Sequence, residues 1–275
     1  MDEQTPTRLT TLGHPQRLAI FRLLMRRYPD PVPAGEIAQA LGLKLSTSSA
    51  YVAALMQAGL LTQHRVGTSL LYAIDMASVG RLMDDLLLDC CRGRPELCPP
   101  FAPASAPGRP YRVLFLCTGN SARSLFAESL LRAEAGGRFA VFSAGTRPQD
   151  APHPLALAML AAKGHDLAPL RAKPVSEFQA PDTPPFDFVF TVCDQAANED
   201  CPAWPGQPVT AHWGVADPVK AQGTEAQRAL AFQQAFGALR NRVLAFAALP
   251  LDQIDRLSLQ RAVDDIARTR SENDA

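Results

Sequence analysis

The chain has 275 residues, 47% of them apolar and 20% charged, and its 27 basic and 27 acidic residues cancel to zero formal charge. That length suits about two domains of ordinary size, and the balanced charge gives no argument for nucleic acid from the chain as a whole. Six cysteines are too sparse for a disulfide scaffold, and no apolar stretch approaches the ~20 residues of a membrane helix. The polar start MDEQTPTRLT carries no secretory pattern, so a cytoplasmic location without a membrane partner is expected. In a reducing compartment, clustered cysteines suggest metal or redox chemistry. They fall into three sets: Cys90, Cys91 and Cys98; Cys117 alone; and Cys193 with Cys201.

From the start, LGHPQRLAIFRLLMRR carries apolar residues at helical spacing, and AGEIAQALGL reads as a short helix ending at Gly42. STSSAYVAALMQAGLL predicts a helix over Ser46 to Ala58, opened by cap-type residues and closed by Gly59. LLTQHRVGTSLLYAI then reads as two β runs around Gly67, and MASVGRLMDDLLLDCC as a last helix. Helix, helix, turn, helix and hairpin is the order of a winged helix-turn-helix. In that fold the helix from Ser46 would enter the major groove, and the hairpin tip from His64 to Thr68 would touch the backbone or minor groove. Ser46, Thr47, Ser48, Ser49 and Tyr51 suit phosphate and base-edge contacts, with Lys44, Arg65 and Arg81 available to line one face of a dimer. An ordinary helical bundle using the hydroxyls as caps is the alternative.

The stretch CPPFAPASAPGRP is rich in Pro, Ala, Ser and Gly and breaks both helix and strand. It divides the chain into a mostly α domain with a β-hairpin over 1–98, a linker over 99–110 and a second domain over 111–275. Behind it, YRVLFLC, FAVFSAG and FDFVFTVC read as strands. SLFAESLLRAEAG, PLALAMLAAKG and the long EAQRALAFQQAFGALRNRVLAFAAL read as helices. Alternation of this kind predicts an α/β domain with a parallel sheet.

Cys117 ends the first of these strands, and Arg123 follows after five residues, Thr118, Gly119, Asn120, Ser121 and Ala122. A strand, such a loop and a helix start at Ser124 would converge backbone amides into an anion cradle at a helix N-terminus. Arg123 would grip two oxygens of a tetrahedral oxyanion. The same positive field would lower the Cys117 pKa and leave a thiolate nucleophile, with Ser124 donating to the sulfur. The bland reading is a structural turn. In HWGVADP, Asp217 can protonate a leaving oxygen or merely cap the next helix, and His212 and Trp213 read as loop packing.

In the front domain, LGHPQRLAIFRLL, EIAQALGL, AALMQAGLL and the hairpin resemble the arsenic-responsive family of winged-helix repressors, over roughly residues 6–98. Many members place a cysteine pair in the helix before the recognition helix, where this chain has PAGEIAQAL. Its thiols lie instead in DCCRGRPELC, which resembles a branch with three arsenite-binding cysteines at that end. The resemblance implies operator DNA and a homodimer as partners, and As(III) or Sb(III) as effector at Cys90, Cys91 and Cys98. Trivalent arsenic is soft and prefers thiolates. Gly93 and Pro95 bend the chain so that Cys98 can fold back. Structural cysteines, a zinc site and a redox disulfide are the rival readings.

In the rear domain, VLFLCTGNSARS, FSAGTRP, FTVCDQAANEDCP and AHWGVADP resemble the low-molecular-weight tyrosine phosphatase family, and more closely its arsenate reductase branch, over roughly residues 111–265. A phosphatase needs only Cys117, Arg123 and Asp217. The resemblance gives Cys193 and Cys201 to a relay: Cys117 forms a thiol–arsenate, Cys193 attacks its sulfur, arsenite leaves, and a Cys193–Cys201 disulfide passes to thioredoxin. Some members carry another cysteine where this chain has Ala122. Seven residues separate Cys193 from Cys201, one more than in some branches, which leaves thioredoxin, glutaredoxin and other small thiols open as donor. No tightly bound cofactor is expected. Asn120, Glu128 and Ser143 match positions that bind potassium in some relatives, without fixing the ion here. The expected function is an arsenic-responsive repressor fused to an arsenate reductase with possible residual phosphatase activity. The alternatives are a repressor with a non-catalytic oxyanion-binding domain and a tyrosine phosphatase with a regulatory head.

Overall fold

The computed structural model describes residues 2–92, 109–134, 136–180, 182–199 and 204–268. The chain divides into two compact units, the first holding residues up to 92 and the second nearly all of those from 109 onward. Cys98, Cys201 and most of the expected linker lie outside the described residues.

The front unit runs α1 (Thr5–Leu12), α2 (Pro15–Arg27), β1 (Val32–Pro33), α3 (Ala34–Ala40), α4 (Leu45–Gln57), β2 (Leu61–Val66), β3 (Ser69–Ile74) and α5 (Met76–Asp84). It is a winged helix-turn-helix. Pro15 opens α2 at a position whose missing amide costs nothing, and the His14 imidazole accepts from the Gln16 amide at 3.2 Å. The Asp75 carboxylate caps α5 through the Ser78 amide at 2.9 Å. Strands β2 and β3 pair antiparallel from Leu61↔Ile74 to Val66↔Ser69. That leaves a two-residue turn in which Gly67 has φ +59°, a conformation that a side chain would oppose. Ile20, Leu23 and Leu24 of α2, Val52 and Leu55 of α4, and Tyr72 and Ile74 of β3 form the core.

Four features depart from the sequence reading, the first being the short strand β1, which pairs antiparallel with β3 at Tyr72 and Leu71. An extra helix, α1, precedes Pro15. Helix α4 begins at Leu45, with Lys44 rather than Ser46 at its N-cap. The expected single helix over Met76 to Cys91 ends at Asp84 and widens into a π-helical turn, Asp85–Cys90, in which the Cys91 amide reaches back to the Leu86 carbonyl at 2.9 Å. The widening starts at Asp85, whose carboxylate accepts from the Asp2 amide at 2.7 Å and from the Thr5 hydroxyl.

The rear unit runs β4 (Tyr111–Cys117), α6 (Arg123–Glu134), β5 (Phe139–Gly145), α7 (Pro154–Ala162), β6 (Phe188–Thr191), α8 (Asp194–Asn198), β7 (Val209–His212), α9 (Glu225–Ala247) and α10 (Arg256–Arg268). Its four strands are parallel in the order β5-β4-β6-β7. Successive side chains of a strand face opposite ways. Val113, Phe115 and Cys117 accordingly face the helices, while Leu114 and Leu116 meet Phe142, Phe178 and Phe186 on the other side. The helical side is aromatic: Phe190 stacks on Trp213 at 4.0 Å, and Phe246 meets both edge-on. Each such fully buried ring contributes roughly 1.5–3 kcal/mol. The expected strand FDFVFTVC shortens to Phe188–Thr191, and the Asp187 carboxylate just before it is fully engaged. It binds the Arg109 guanidinium through both oxygens, at 2.7 and 2.8 Å, and accepts from the Arg112 amide. Strand β7 and helices α8 and α10 were not expected.

From β4 the chain passes to β5 on one side, and from β5 it crosses back over β4 to β6 on the other. Such a reversal opens a crevice at the carboxyl ends of the strands, where open α/β sheets bind ligands. Cys117 is the residue at that end.

Candidate active site

Four carbonyls at the end of β4 and in the loop after it are turned outward. Those of Cys117, Thr118, Gly119 and Ser121 accept from the amides of Thr146, Arg147, Gln149 and His153 at 2.9–3.1 Å. A trans peptide holds its N–H opposite its C=O. The amides of Thr118, Gly119, Asn120 and Ala122 therefore point the other way, and that of Asn120 donates to the Cys117 sulfur at 3.0 Å. Converging amides of this kind form an anion cradle, and α6 adds its N-terminus at Arg123. The loop closes tightly against β5. A Cβ on Gly145 would lie 2.6 Å from the Thr118 carbonyl oxygen, so only glycine fits there.

Asn120 anchors the loop. It is fully buried and adopts φ +43°. The Lys173 amide donates to its Oδ1 at 2.8 Å, which fixes the amide so that Nδ2 faces two hydroxyls, Ser124 and Ser143, each at 2.8 Å. Ser143 in turn donates to the Glu128 carboxylate. With its oxygen accepting from Asn120, Ser124 can turn its own O–H towards the Cys117 sulfur 2.9 Å away. Glu128 is buried, and its charge is matched by Lys173 at 3.0 Å and Arg132 at 2.6 Å. Asn120, Glu128 and Ser143 do meet, but their acceptor oxygens are taken by the chain's own donors and the carboxylate by two cations. This donor set does not fit a potassium ion. Lys173 escaped the sequence reading. The signal for it was Glu128 inside the apolar LFAESLL, where a buried carboxylate demands a counter-charge.

Arg123 and Asp217 also come together. The Arg123 guanidinium binds the Asp217 carboxylate at 2.7 Å and the Val215 carbonyl at 3.0 Å. Asp217 accepts in addition from the Val219 amide at 3.2 Å, capping the short turn Pro218–Lys220. It both caps and pairs. Burial pushes the Cys117 thiol up from its ordinary value, the neighbouring Cys193 adds to that, and Ser124, Arg123 and the Asn120 amide act against it. The expected lowering is not found in this arrangement. The sulfur is almost wholly removed from water, and much of the Arg123 charge is answered by Asp217.

Cys193 follows β6 and is buried beside the cradle. Its sulfur lies 3.4 Å from the Thr118 hydroxyl and 3.4 Å from the Ala196 amide at the start of α8. His212 and Trp213 do more than fill space. The Trp213 indole donates to the Val263 carbonyl at 3.1 Å, and His212 bonds both Thr191 and Asp194.

In the front unit, Lys44, Ser46, Thr47, Ser49 and Arg65 are exposed on α4 and the hairpin. Ser48 is 1% exposed and faces the core, which removes it from the surface available to DNA; at helical spacing it lies four residues before Val52, on the buried stripe. The Ser49 hydroxyl donates back to the Leu45 carbonyl at 2.8 Å, and Tyr51 leans on His14 with ring centres 4.9 Å apart. Cys90 is exposed and Cys91 half-buried at the end of the π-helical turn.

The profile described as low molecular weight phosphotyrosine protein phosphatase matches residues 112–256, and one described as a helix-turn-helix domain matches residues 12–64. The chain is 35% identical to an arsenate reductase of Bacillus licheniformis over 136 residues, 49% of this chain and 94% of that protein. It is 33% identical to a glutaredoxin arsenate reductase of Synechocystis sp. over 107 residues, 39% of this chain and 78% of that protein. Among solved structures, a homodimeric winged helix-turn-helix domain from Mycobacterium bovis, described as a possible ArsR-family regulator, matches at 30% identity and a TM-score of 0.27. It covers 33% of this chain and 82% of that one.

Proposed function

The chain belongs to the low molecular weight phosphotyrosine protein phosphatase family through residues 112–256, and from that premise we propose that its rear unit is a thiol-dependent arsenate reductase, joined to an arsenic-responsive repressor. The observation that carries the reading is the second buried thiol. Phosphoester cleavage in this cradle needs Cys117, Arg123 and Asp217, and it gives Cys193 nothing to do. A sulfur 3.4 Å from the cradle residue Thr118 suits a reaction that ends in a sulfur–sulfur bond. The similarity of this half of the chain to two arsenate reductases supports the same reading.

In this reaction the cradle amides and Arg123 hold arsenate, and Arg123 exchanges part of its bond to Asp217 for the oxyanion. Cys117 gives up its thiol proton to the bound arsenate and attacks arsenic as the thiolate, and that proton, relayed by Asp217, leaves with the departing oxygen as water. Cys193 then attacks the Cys117 sulfur. A disulfide bond forms, the sulfur–arsenic bond breaks, and its electron pair stays on arsenic, reducing As(V) to As(III) while two thiols become a disulfide. Cys201 exchanges onto Cys193, frees Cys117 and leaves a Cys193–Cys201 disulfide for a thioredoxin- or glutaredoxin-type donor. The front unit binds operator DNA as a homodimer, because one recognition helix reads only a half-site. As(III), or Sb(III), bound by Cys90, Cys91 and Cys98 releases it.

Disulfide mapping tests the relay. Reduced protein given one equivalent of arsenate and no thiol donor should yield arsenite and a Cys193–Cys201 disulfide. Arsenite without that disulfide contradicts the relay, and phosphoester hydrolysis without any arsenite favours the phosphatase reading.

A further inference from the structure

The imidazole of His212 grips the chain on both sides of Cys193. His212 ends β7 and lies opposite Thr191, the last residue of β6, in the parallel ladder. Its Nδ1 is 2.9 Å from the Thr191 hydroxyl and its Nε2 is 3.1 Å from the Asp194 carboxylate. Thr191 stands two residues before Cys193 and Asp194 one residue after it. A carboxylate only accepts, so Nε2 carries the proton towards Asp194. The side chain of His212 is 0% exposed while that of Asp194 is 56% exposed.

The surroundings are built for this contact. A Cβ on Gly214 would lie 2.6 Å from His212 Nε2 and 2.8 Å from Asp194 Oδ1, so glycine leaves the room that the pair occupies. The Arg242 guanidinium, itself buried, holds the carbonyls of Trp213 and Gly214 at 3.0 and 2.9 Å. The Trp213 amide donates to the Thr191 carbonyl at 2.7 Å, and the Val215 amide to the Val192 carbonyl at 3.3 Å. This same loop carries the Val215 carbonyl and the Asp217 carboxylate that hold Arg123.

We propose that His212 is a positioning residue for the second thiol: by fixing Thr191 and Asp194 it holds the Cys193 sulfur at the mouth of the cradle, ready to attack Cys117. The proposal rests on the reductase reading. Sulfur attack on sulfur needs alignment, and misplacing a reacting atom by about 1 Å costs on the order of 10²-fold. Thr118 and the Ala196 amide still orient Cys193 when His212 is lost, so the expected loss is smaller, about tenfold, or about 1.4 kcal/mol of barrier. The first step uses the cradle, Arg123 and Asp217 and does not need His212.

Arsenite release in a single turnover, without a thiol donor, reads the second step. Protection of Cys117 from iodoacetamide by inorganic phosphate reads the cradle. His212→Phe should slow arsenite release about tenfold and leave phosphate protection unchanged. His212→Gln, which keeps a donor towards Asp194, should recover part of the rate. Asp194→Ala, at an exposed side chain, should slow release about threefold in a fully folded protein and decides the matter if His212→Phe does not fold. An active wild-type chain whose Asp194→Ala and His212 variants release arsenite at its own rate overturns the positioning role alone. Loss of phosphate protection in step with arsenite release also overturns it, since His212 would then serve the cradle. A wild-type chain that releases no arsenite overturns the reductase reading, and the role with it.

Discussion

Removing the ammonium of Lys173 should cost the rear unit about 3 kcal/mol. Lys173 and Glu128 are 7% and 2% exposed in their side chains and 3.0 Å apart. At an effective dielectric of ~20, their attraction is about 5–6 kcal/mol. Lys173→Met removes it and leaves the carboxylate desolvated. Arg132 at 2.6 Å and the Ser143 hydroxyl remain, and they recover part of the loss, which places the net effect near the ~3–5 kcal/mol seen when one partner of a buried pair is removed. The backbone bond from Lys173 to Asn120 survives the substitution, so the cradle keeps its anchor. Both tryptophans of the chain, Trp204 and Trp213, lie in the rear unit, so their fluorescence in urea follows that unit alone. With an m-value of about 2 kcal/mol/M, the midpoint should fall by roughly 1.5 M. Glu128→Gln added to Lys173→Met removes the stranded charge and should restore much of the midpoint. A shift below about 0.3 M, or a double variant no more stable than the single one, would refute the account of this pair.

Ser124 pulls the Cys117 thiol down against its burial, so Ser124→Ala should move the midpoint of Cys117 alkylation to higher pH; an unmoved midpoint means the hydroxyl does not serve the sulfur. Burial holds the Asp264 carboxyl at about 6. Between the ordinary carboxylate value and about 6 the folded state keeps a proton that the unfolded state has lost, so stability falls as pH rises through that window. Asp264→Asn should therefore add about 1–2 kcal/mol above pH 7, discounted for its partial exposure, and nothing near pH 4, as read by thermal melts at the two pH values. Arg65 is exposed on the hairpin, and Arg65→Ala should weaken operator binding and flatten its salt dependence in gel shifts, whereas Ser48→Ala should act only on stability. Arsenate with a thiol donor should release operator from the intact chain, and Cys117→Ser should abolish that response but not release by added arsenite.

The parts of the fold that were legible in the sequence are those with a period. The strand ending at Cys117, the long helix from Glu225 and the hairpin around Gly67 all alternate or repeat strongly enough to be read. Helix α10 has the period too, with Leu259, Val263 and Ile266 on one stripe. Strand β7 is four residues long and carries too little pattern to be seen. At the site, Cys117, Arg123 and Asp217 were visible because spacing and chemistry single them out. Their pairing was not, since it depends on a loop brought from residue 217 to the head of α6. Lys173 and His212 were missed for the same reason: each matters through a partner distant in sequence, Glu128 for one and Asp194 for the other. Ser48 was misread because a run of four hydroxyl residues on a helix must turn one of them inward.

The central claim is that the rear unit reduces arsenate through Cys117 and Cys193, and arsenate-dependent oxidation of NADPH in the presence of thioredoxin and its reductase tests it most directly. The account predicts steady oxidation with the wild-type chain and none with Cys117→Ser or Cys193→Ser. Absence of arsenate-dependent oxidation in the wild type with both thioredoxin- and glutaredoxin-type donors would contradict it, as would turnover that survives either substitution.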